Sequence, residues 1–175
     1  MKGGTKKLTT KRLTLRKFFI KDALCMFNNW ASDSLTTKYL TWLPHESVSQ
    51  TENIIREWKG QYKNPCFYQW AIVLKDLGEP IGSISVVREK EHGVEVGYCI
   101  GSKWWGKGIT TEALEKVIEY LLKKEKYQKV YAKHNVLNVA SGRVMQKCKM
   151  TFIERKEKVA YNGGFYAMDL YEITL

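Results

Sequence analysis

"GSKWWGKGITTEAL", Gly101 to Leu114, sets three glycines, two lysines and a Trp104–Trp105 pair directly before a helical run. The strand-like "GVEVGYCI", Gly93 to Ile100, leads into it. A strand, a glycine-punctuated bend and a helix start together leave several backbone N–H groups without acceptors, backed by the positive end of the helix dipole. Such a place attracts phosphate. Gly106 and Gly108 have no Cβ to hold a ligand off the backbone, and Lys103 and Lys107 add charge. Thr110 and Thr111 offer hydroxyls to cap the helix or bond a phosphate oxygen. Taken alone, the glycines also fit a turn with no ligand.

Working outward, residues 110–124 read as an amphipathic helix. Ala113, Leu114, Val117, Ile118, Leu121 and Leu122 fall on one side, and the other carries the pairs Glu112–Lys116 and Glu119–Lys123. Upstream, "KRLTLRKF" alternates as a first strand, and Asp22 is placed to cap a helix reaching Trp30. Ser49 with Glu52 reads as the capping box of a helix carrying Ile54, Ile55 and Trp58 on its apolar face. "CFYQWAIVL", the turn "KDLGEP" and "IGSISVV" read as an antiparallel meander. Downstream, "KVYAKH" is a strand and "NVASGRVMQKC" a helix with Ala140, Val144 and Cys148 in register. "TFIERKEKVAY" and "FYAMDLYEITL" then pair across Asn162-Gly163-Gly164. The order β-α-α-β-β-β-α-β-α-β-β, without internal repeats or a linker rich in Pro, Gly or Ser, predicts one mixed domain over residues 1–175.

Composition narrows the function classes. Hydrophobic residues at 44% and charged residues at 27% describe an ordinary globular chain, and no apolar run is long enough for a membrane helix. The basic N-terminus lacks the apolar stretch of a secretory signal, so a cytoplasmic protein is expected. Cys25, Cys66, Cys99 and Cys148 lie far apart, with no spacing suited to zinc, and read as reduced thiols. The net charge of +11 comes from lysines interrupted by acidic residues, with no nucleic-acid recognition pattern beside them, so it reads as solvated surface.

Two nucleotide-binding readings of the glycine stretch fail on its residues. Gly101-x4-Gly106-Lys107 approaches a P-loop, but Gly108 stands where the magnesium-binding hydroxyl must be. A dinucleotide fingerprint fails because Thr111 takes the place of its last glycine.

The stretch instead resembles the GNAT N-acetyltransferases. Their pyrophosphate loop, [Gln/Arg]-x-x-Gly-x-[Gly/Ala], is matched by Lys103-Trp104-Trp105-Gly106-Lys107-Gly108 apart from the conservative Lys103. "VEVGYCIGSKWWGKGITTEAL", "NVLNVASGRVMQKCKM" and "YLTWLPHESVSQTENII" resemble, in family order, segments of the branch containing the ribosomal-protein N-terminal acetyltransferases. Two positions depart. Lys149 replaces a glycine expected before Met150, where positive φ is common, and Met145 replaces a tyrosine that protonates the departing thiolate in much of the superfamily.

The resemblance implies an α+β fold: a twisted, mostly antiparallel sheet of about seven strands with a splayed V opening, flanked by about four helices. It implies acetyl-coenzyme A as donor and a primary amine as acceptor, with direct transfer in a ternary complex. Cofactor contacts are expected from Lys103, Trp104, Trp105, Gly106, Lys107, Gly108, Ile109 and Thr110 at the diphosphate, with amides from about Trp105 to Thr110 doing the binding. The strand amides near Cys99 and Ile100 should meet the pantetheine arm, and Asn138 supplies a side-chain contact. Of the tryptophan pair, Trp105 is expected to pack on the core; Trp30, Trp42, Trp58 and Trp70 should be core or groove walls.

Catalysis needs a neutral amine, although an α-amine titrates near 8 and a lysine near 10.4. Glu95 is the expected base, with pairing to a lysine of a neighbouring strand its equal rival, and His134 a weaker candidate. Ser141 is the hydroxyl expected to hydrogen-bond the thiolate, capping or packing beside Gly142 being the alternative. Trp42, Pro44 and His45 fall in the segment that covers the acceptor in relatives. Branch resemblance favours a protein N-terminal amine as acceptor; a small-molecule amine and a non-catalytic acyl-CoA-binding protein are the alternatives. No direct nucleic-acid or membrane contact is expected, in a monomer or homodimer.

Overall fold

A computed structural model describes residues 2–161 and 164–175. Eight strands form one sheet: β1 (Leu8–Thr9), β2 (Leu13–Arg16), β3 (Gln69–Leu74), β4 (Pro80–Lys90), β5 (Gly93–Ile100), β6 (Lys129–Asn135), β7 (Thr151–Tyr161) and β8 (Gly164–Thr174). Their order is β1-β2-β3-β4-β5-β6-β8-β7, and every neighbouring pair is antiparallel except β5–β6. The helices are α1 (Ala23–Met26), α2 (Ser34–Thr37), α3 (Val48–Gln61), α4 (Ile109–Glu119) and α5 (Val139–Lys147). α1 and α4 run on into π turns at Phe27–Ala31 and Tyr120–Lys124. Among the described residues, no helix is long and apolar enough to cross a membrane.

The sheet is buried on both faces, and β3 shows how. Its alternate residues Trp70 and Ile72 join the core under α4 and α5 with Leu13, Leu15, Ile84, Val96 and Leu114. Ala71 and Val73 point the other way, into a second core with Phe18, Met26, Trp30 and Ile55 under α1 and α3. The residues expected to line the inner side of α4, Ala113 through Leu122, are all buried.

Several local expectations are corrected. The cap of α3 is Ser47, which accepts from the Gln50 N–H, rather than Ser49. Asp22 stands at the start of α1, but its carboxylate accepts from the Phe19 N–H and from Arg16 instead of capping. Ala140 is exposed; Gly142, Met145 and Cys148 form the inner face of α5. Glu112 turns from Lys116 to Arg12, while Glu119 does reach Lys123. β1 is an additional short strand that hydrophobic alternation did not reveal. The turn expected at Asn162 and Gly163 lies outside the described residues.

Lys149 keeps the backbone that a glycine would adopt, with φ of 60°. The Met150 N–H donates to Met145 O at 3.1 Å and the Lys149 N–H to Gln146 O at 2.9 Å, the paired bonds of a Schellman helix end. The departure therefore leaves the turn intact and places a β-carbon in the left-handed region.

Candidate active site

β5 and β6 begin side by side and then part. Their ladder runs from Gly93–Lys129 to Val96–Ala132 and goes no further, although β6 stays paired with β8 as far as Asn135. Residues 97–100 thus keep β4 on one side and face a gap on the other. The Gly101 N–H donates to Ile81 O, so by alternation the amide of Cys99 also points at β4. The polar groups of Tyr98 and Ile100 face the gap, consistent with Ile100 O accepting from Trp105 Nε1 at 2.9 Å. The strand donors facing the gap are therefore Tyr98 and Ile100 rather than the expected Cys99 and Ile100; Cys99 contributes its side chain instead, with Sγ 3.4 Å from Ser83 Oγ.

The glycine bend connects this strand to α4. Gly106 and Gly108 have φ of 74° and 70°, and space around the missing Gly106 Cβ is empty to 4 Å. Gly108 caps α4, so Thr110 and Thr111 sit inside the first turn and are not caps. The first bond into the helix is Glu112 N–H to Gly108 O at 3.2 Å, which leaves the N–H groups of Gly108, Ile109, Thr110 and Thr111 without an acceptor among the described residues. The Trp105 amide, expected in the set, is used within its own turn on Ser102 O. Open space beside a glycine, four unpaired N–H groups and the exposed Lys103 and Lys107 fit a diphosphate.

The tryptophan pair is reversed from expectation. Trp104 lies against Gly101, where an added Cβ would sit 2.8 Å from its ring, and packs on the α4 core. Trp105 is 49% exposed. Trp30 and Trp70 are fully buried, and Trp58 packs on the α1–α3 core.

The bend is held from below. Glu112 accepts from Thr10 Oγ1 at 2.6 Å, from the Arg12 N–H at 2.9 Å and from Arg12 Nε at 2.6 Å. Arg12 Nη1 then donates to Lys107 O at 2.9 Å. Burial alone would raise the Glu112 carboxyl, but these hydrogen bonds outweigh it and hold the group below the usual carboxylate range.

A cleft of about 360 Å³ passes through the gap between the split strands. On the α5 side it is lined by Tyr98, Asn138 and Ser141, and on the α1–α3 side by Trp42, Ser83, Ser85, Arg88, Glu95 and Cys99. A somewhat larger groove, about 440 Å³, lies between Lys6–Leu8 and the end of α4. None of the bend, gap or α5 residues lines that groove, so it holds none of the chemistry above.

Tyr98 OH lies 3.0 Å from Ser141 Oγ and donates to Ser141 O at 3.1 Å. Burial pushes the Tyr98 phenol up, so it remains a proton donor at neutral pH. Met145 is buried in the core, and the two hydroxyls stand one helical turn before it. Asn138 caps α5 by accepting from the Ser141 N–H at 3.3 Å, which leaves its NH2 for a ligand.

Glu95 is buried, with Lys133 Nζ 3.1 Å from one oxygen and Lys90 Nζ 3.3 Å from the other. His134 is also buried. Its Nδ1 lies 2.8 Å from Asn135 O, Asp169 is 4.0 Å from its Nε2, and its ring fills the space left by Gly142. Trp42 lines the cleft; His45 stands behind it, bonded to Thr51 Oγ1, and Pro44 does not line the cleft. The expected pairing of Glu95 with a neighbouring strand's lysine is present, while Tyr98, although within a quoted motif, and Arg88 were not singled out from the sequence. Among the described residues no cluster could hold a metal ion.

The sequence profile of the acetyltransferase (GNAT) domain matches residues 12–151. An uncharacterised N-acetyltransferase, p20 of Bacillus licheniformis, is 34% identical over 65% of this chain and 64% of its own length, just under two thirds. The ribosomal protein uS5-alanine N-acetyltransferase of Escherichia coli is 28% identical over 81% of this chain and 76% of its own. A GNAT-family acetyltransferase of Bacillus anthracis has a similar crystal structure, with a TM-score of 0.84 over 97% of this chain and 98% of its own at 24% identity.

Proposed function

The chain belongs to the GNAT acetyltransferase family, and from that premise we propose that it acetylates the N-terminal α-amine of a protein. It is an N-acetyltransferase and uses acetyl-coenzyme A. The similarity to a ribosomal-protein alanine acetyltransferase supports the choice of acceptor. The observation that carries the reading is the gap between β5 and β6, which joins the two faces of the sheet beside the glycine bend.

Bound acetyl-coenzyme A supplies the activated acyl thioester. The N–H groups of Gly108 to Thr111, with Lys103 and Lys107, bind the diphosphate. The amides of Tyr98 and Ile100 are the donors available to a carbonyl oxygen as it gains charge, and such donors lower barriers by several kcal/mol, roughly 3–4 each. Asn138 orients the arm through its NH2.

Glu95 receives the amine proton through water, each of its oxygens keeping capacity for a second hydrogen bond. An α-amine, which titrates near 8, gives up its proton more readily than a lysine side chain near 10.4 and suits this route better. The Ser141 hydroxyl, backed by Tyr98, hydrogen-bonds the departing sulfur. A thiolate with pKa of roughly 8.5 needs little more help.

The test is a thiol-release assay with acetyl-coenzyme A and a panel of peptides differing in their first residue, run beside small amines. Release with peptides that disappears when their N-terminus is blocked supports the proposal. Release with small amines alone overturns the choice of acceptor.

A further inference from the structure

The wall on the acceptor side of the cleft carries more positive charge than its single carboxylate can balance. Along β4, Ser83 and Ser85 pair with Cys99 and Gly97 and share their face, which lines the cleft. A regular two-residue alternation would continue that face through Val87. A bulge between Val86 and Arg88 breaks the pattern: Val86 pairs with Val96, but Arg88 pairs with Glu95. The extra residue brings Arg88 onto the cleft face next to Val87, which still lies over Gly97 and lines the cleft, and turns Lys90 to the same side.

Glu95 cannot neutralise this wall. Lys90 from β4 and Lys133 from β6 hold its two oxygens. Arg88, exposed and lining the cleft, makes no ion pair among the described residues. Three cations thus face one acidic side chain, and one of them is a guanidinium able to grip a planar anion through two parallel N–H bonds.

We propose that the acceptor carries an anionic group, a carboxylate or phosphate, close to its amine, and that Arg88 binds it. This rests on the acetyl-transfer reading above and narrows its substrate. The same wall disfavours an ammonium ion, so an acceptor docked by its anion presents its amine more readily as the neutral nucleophile. Polycationic amines are repelled by the same charges. The anion has two possible sources. It is either an acidic side chain at the second or third position of a peptide, or the acidic group of a small amino acid or amino phosphate.

The test compares matched acceptors under saturating acetyl-coenzyme A. One arm sets a peptide beginning Ala-Glu-Asp against one beginning Ala-Gln-Asn. The other sets β-alanine against β-alaninamide, and phosphoethanolamine against ethanolamine. The expected result is a kcat/KM about tenfold or more higher for the anionic member of at least one arm, and the arm that responds identifies the source. In Arg88→Ala the ratio should fall to about one, while Arg88→Lys restores part of it because a point charge replaces the fork. Equal turnover within every pair, or a ratio that survives Arg88→Ala, overturns the proposal and leaves acetyl transfer standing. Absence of thiol release with every acceptor overturns both.

Discussion

Arg12 ties the first turn of α4 to the glycine bend: its Nε donates to Glu112 Oε2 at 2.6 Å and its Nη1 to Lys107 O at 2.9 Å. The pair lies beneath the bend, so its effect on a ligand is indirect. Hydrogen bonds to charged groups contribute roughly 1.5–3 kcal/mol, but Arg12 is substantially exposed. We expect Glu112→Gln to raise KM for acetyl-coenzyme A by about three- to tenfold with a smaller change in KM for the amine. Steady-state kinetics with each substrate varied in turn checks this; equal changes in both would mean the pair serves only stability.

Acid stability follows from the same carboxylate and two others. In Glu112 and in Glu125, burial raises the pKa but is outweighed by hydrogen bonds, from Thr10 and Arg12 in the first and from Tyr120, Gly3 and Tyr68 in the second. In Asp169 the hydrogen bond from Arg155 lowers it. Each group therefore binds protons less readily folded than unfolded, where carboxylates titrate near 4. Their stabilisation is present above about pH 4 and is lost as pH falls through the depressed folded values. Melting temperature measured from pH 7 to pH 3 should drop along the acid limb, and less steeply in Glu112→Gln.

Ser141→Ala should slow turnover more than it weakens coenzyme A binding, and Tyr98→Phe should do the same to a smaller degree. The two hydroxyls are 3.0 Å apart and act on one another, so the double variant should lose less than the sum of the single losses. Comparing kcat with calorimetric binding of coenzyme A distinguishes this from a packing defect, which would weaken both together.

Glu95→Gln leaves Lys90 and Lys133 without their carboxylate. Both lysines are partly exposed, so we expect a loss of about 2 kcal/mol, below the figure for a wholly buried pair. If Glu95 also accepts the amine proton, the acid limb of the kcat/KM pH profile will flatten in the variant. An unchanged profile beside a lowered melting temperature would confine Glu95 to holding the lysines.

Lys149→Gly should stabilise the chain. The residue already occupies the left-handed region, where a side chain costs about 1 kcal/mol, and the surrounding Schellman bonds do not involve its side chain. For a chain of this length that corresponds to a rise of about 2–4 °C in Tm. A fall in Tm would show that the lysine stem packs favourably where it lies.

The glycine bend, the following helix and the order of the main strands were legible because they depend on local chemistry: residues without Cβ, a 3.6-residue apolar repeat, and two-residue alternation. What escaped depends on partners far away in the chain. Glu112 has a suitable lysine four residues on, yet binds Arg12, which β2 brings beneath the bend. Adjacent tryptophans give no local sign of which one lies over Gly101. Arg88 joins Val87 on the cleft face only because of a one-residue bulge, whereas regular alternation admits Val87 and sends the next residue to the other side. Which of Ser47 and Ser49 caps α3 was a choice between neighbours with the same chemistry.

The parting of β5 from β6 also bears on traffic. With the glycine bend on one side of the sheet and the cationic wall on the other, arriving and departing molecules need not share a doorway. A bound acceptor need not leave before the exhausted carrier is exchanged behind it. Inhibitors shaped like the carrier should therefore compete with the carrier alone, leaving the amine's own entrance open.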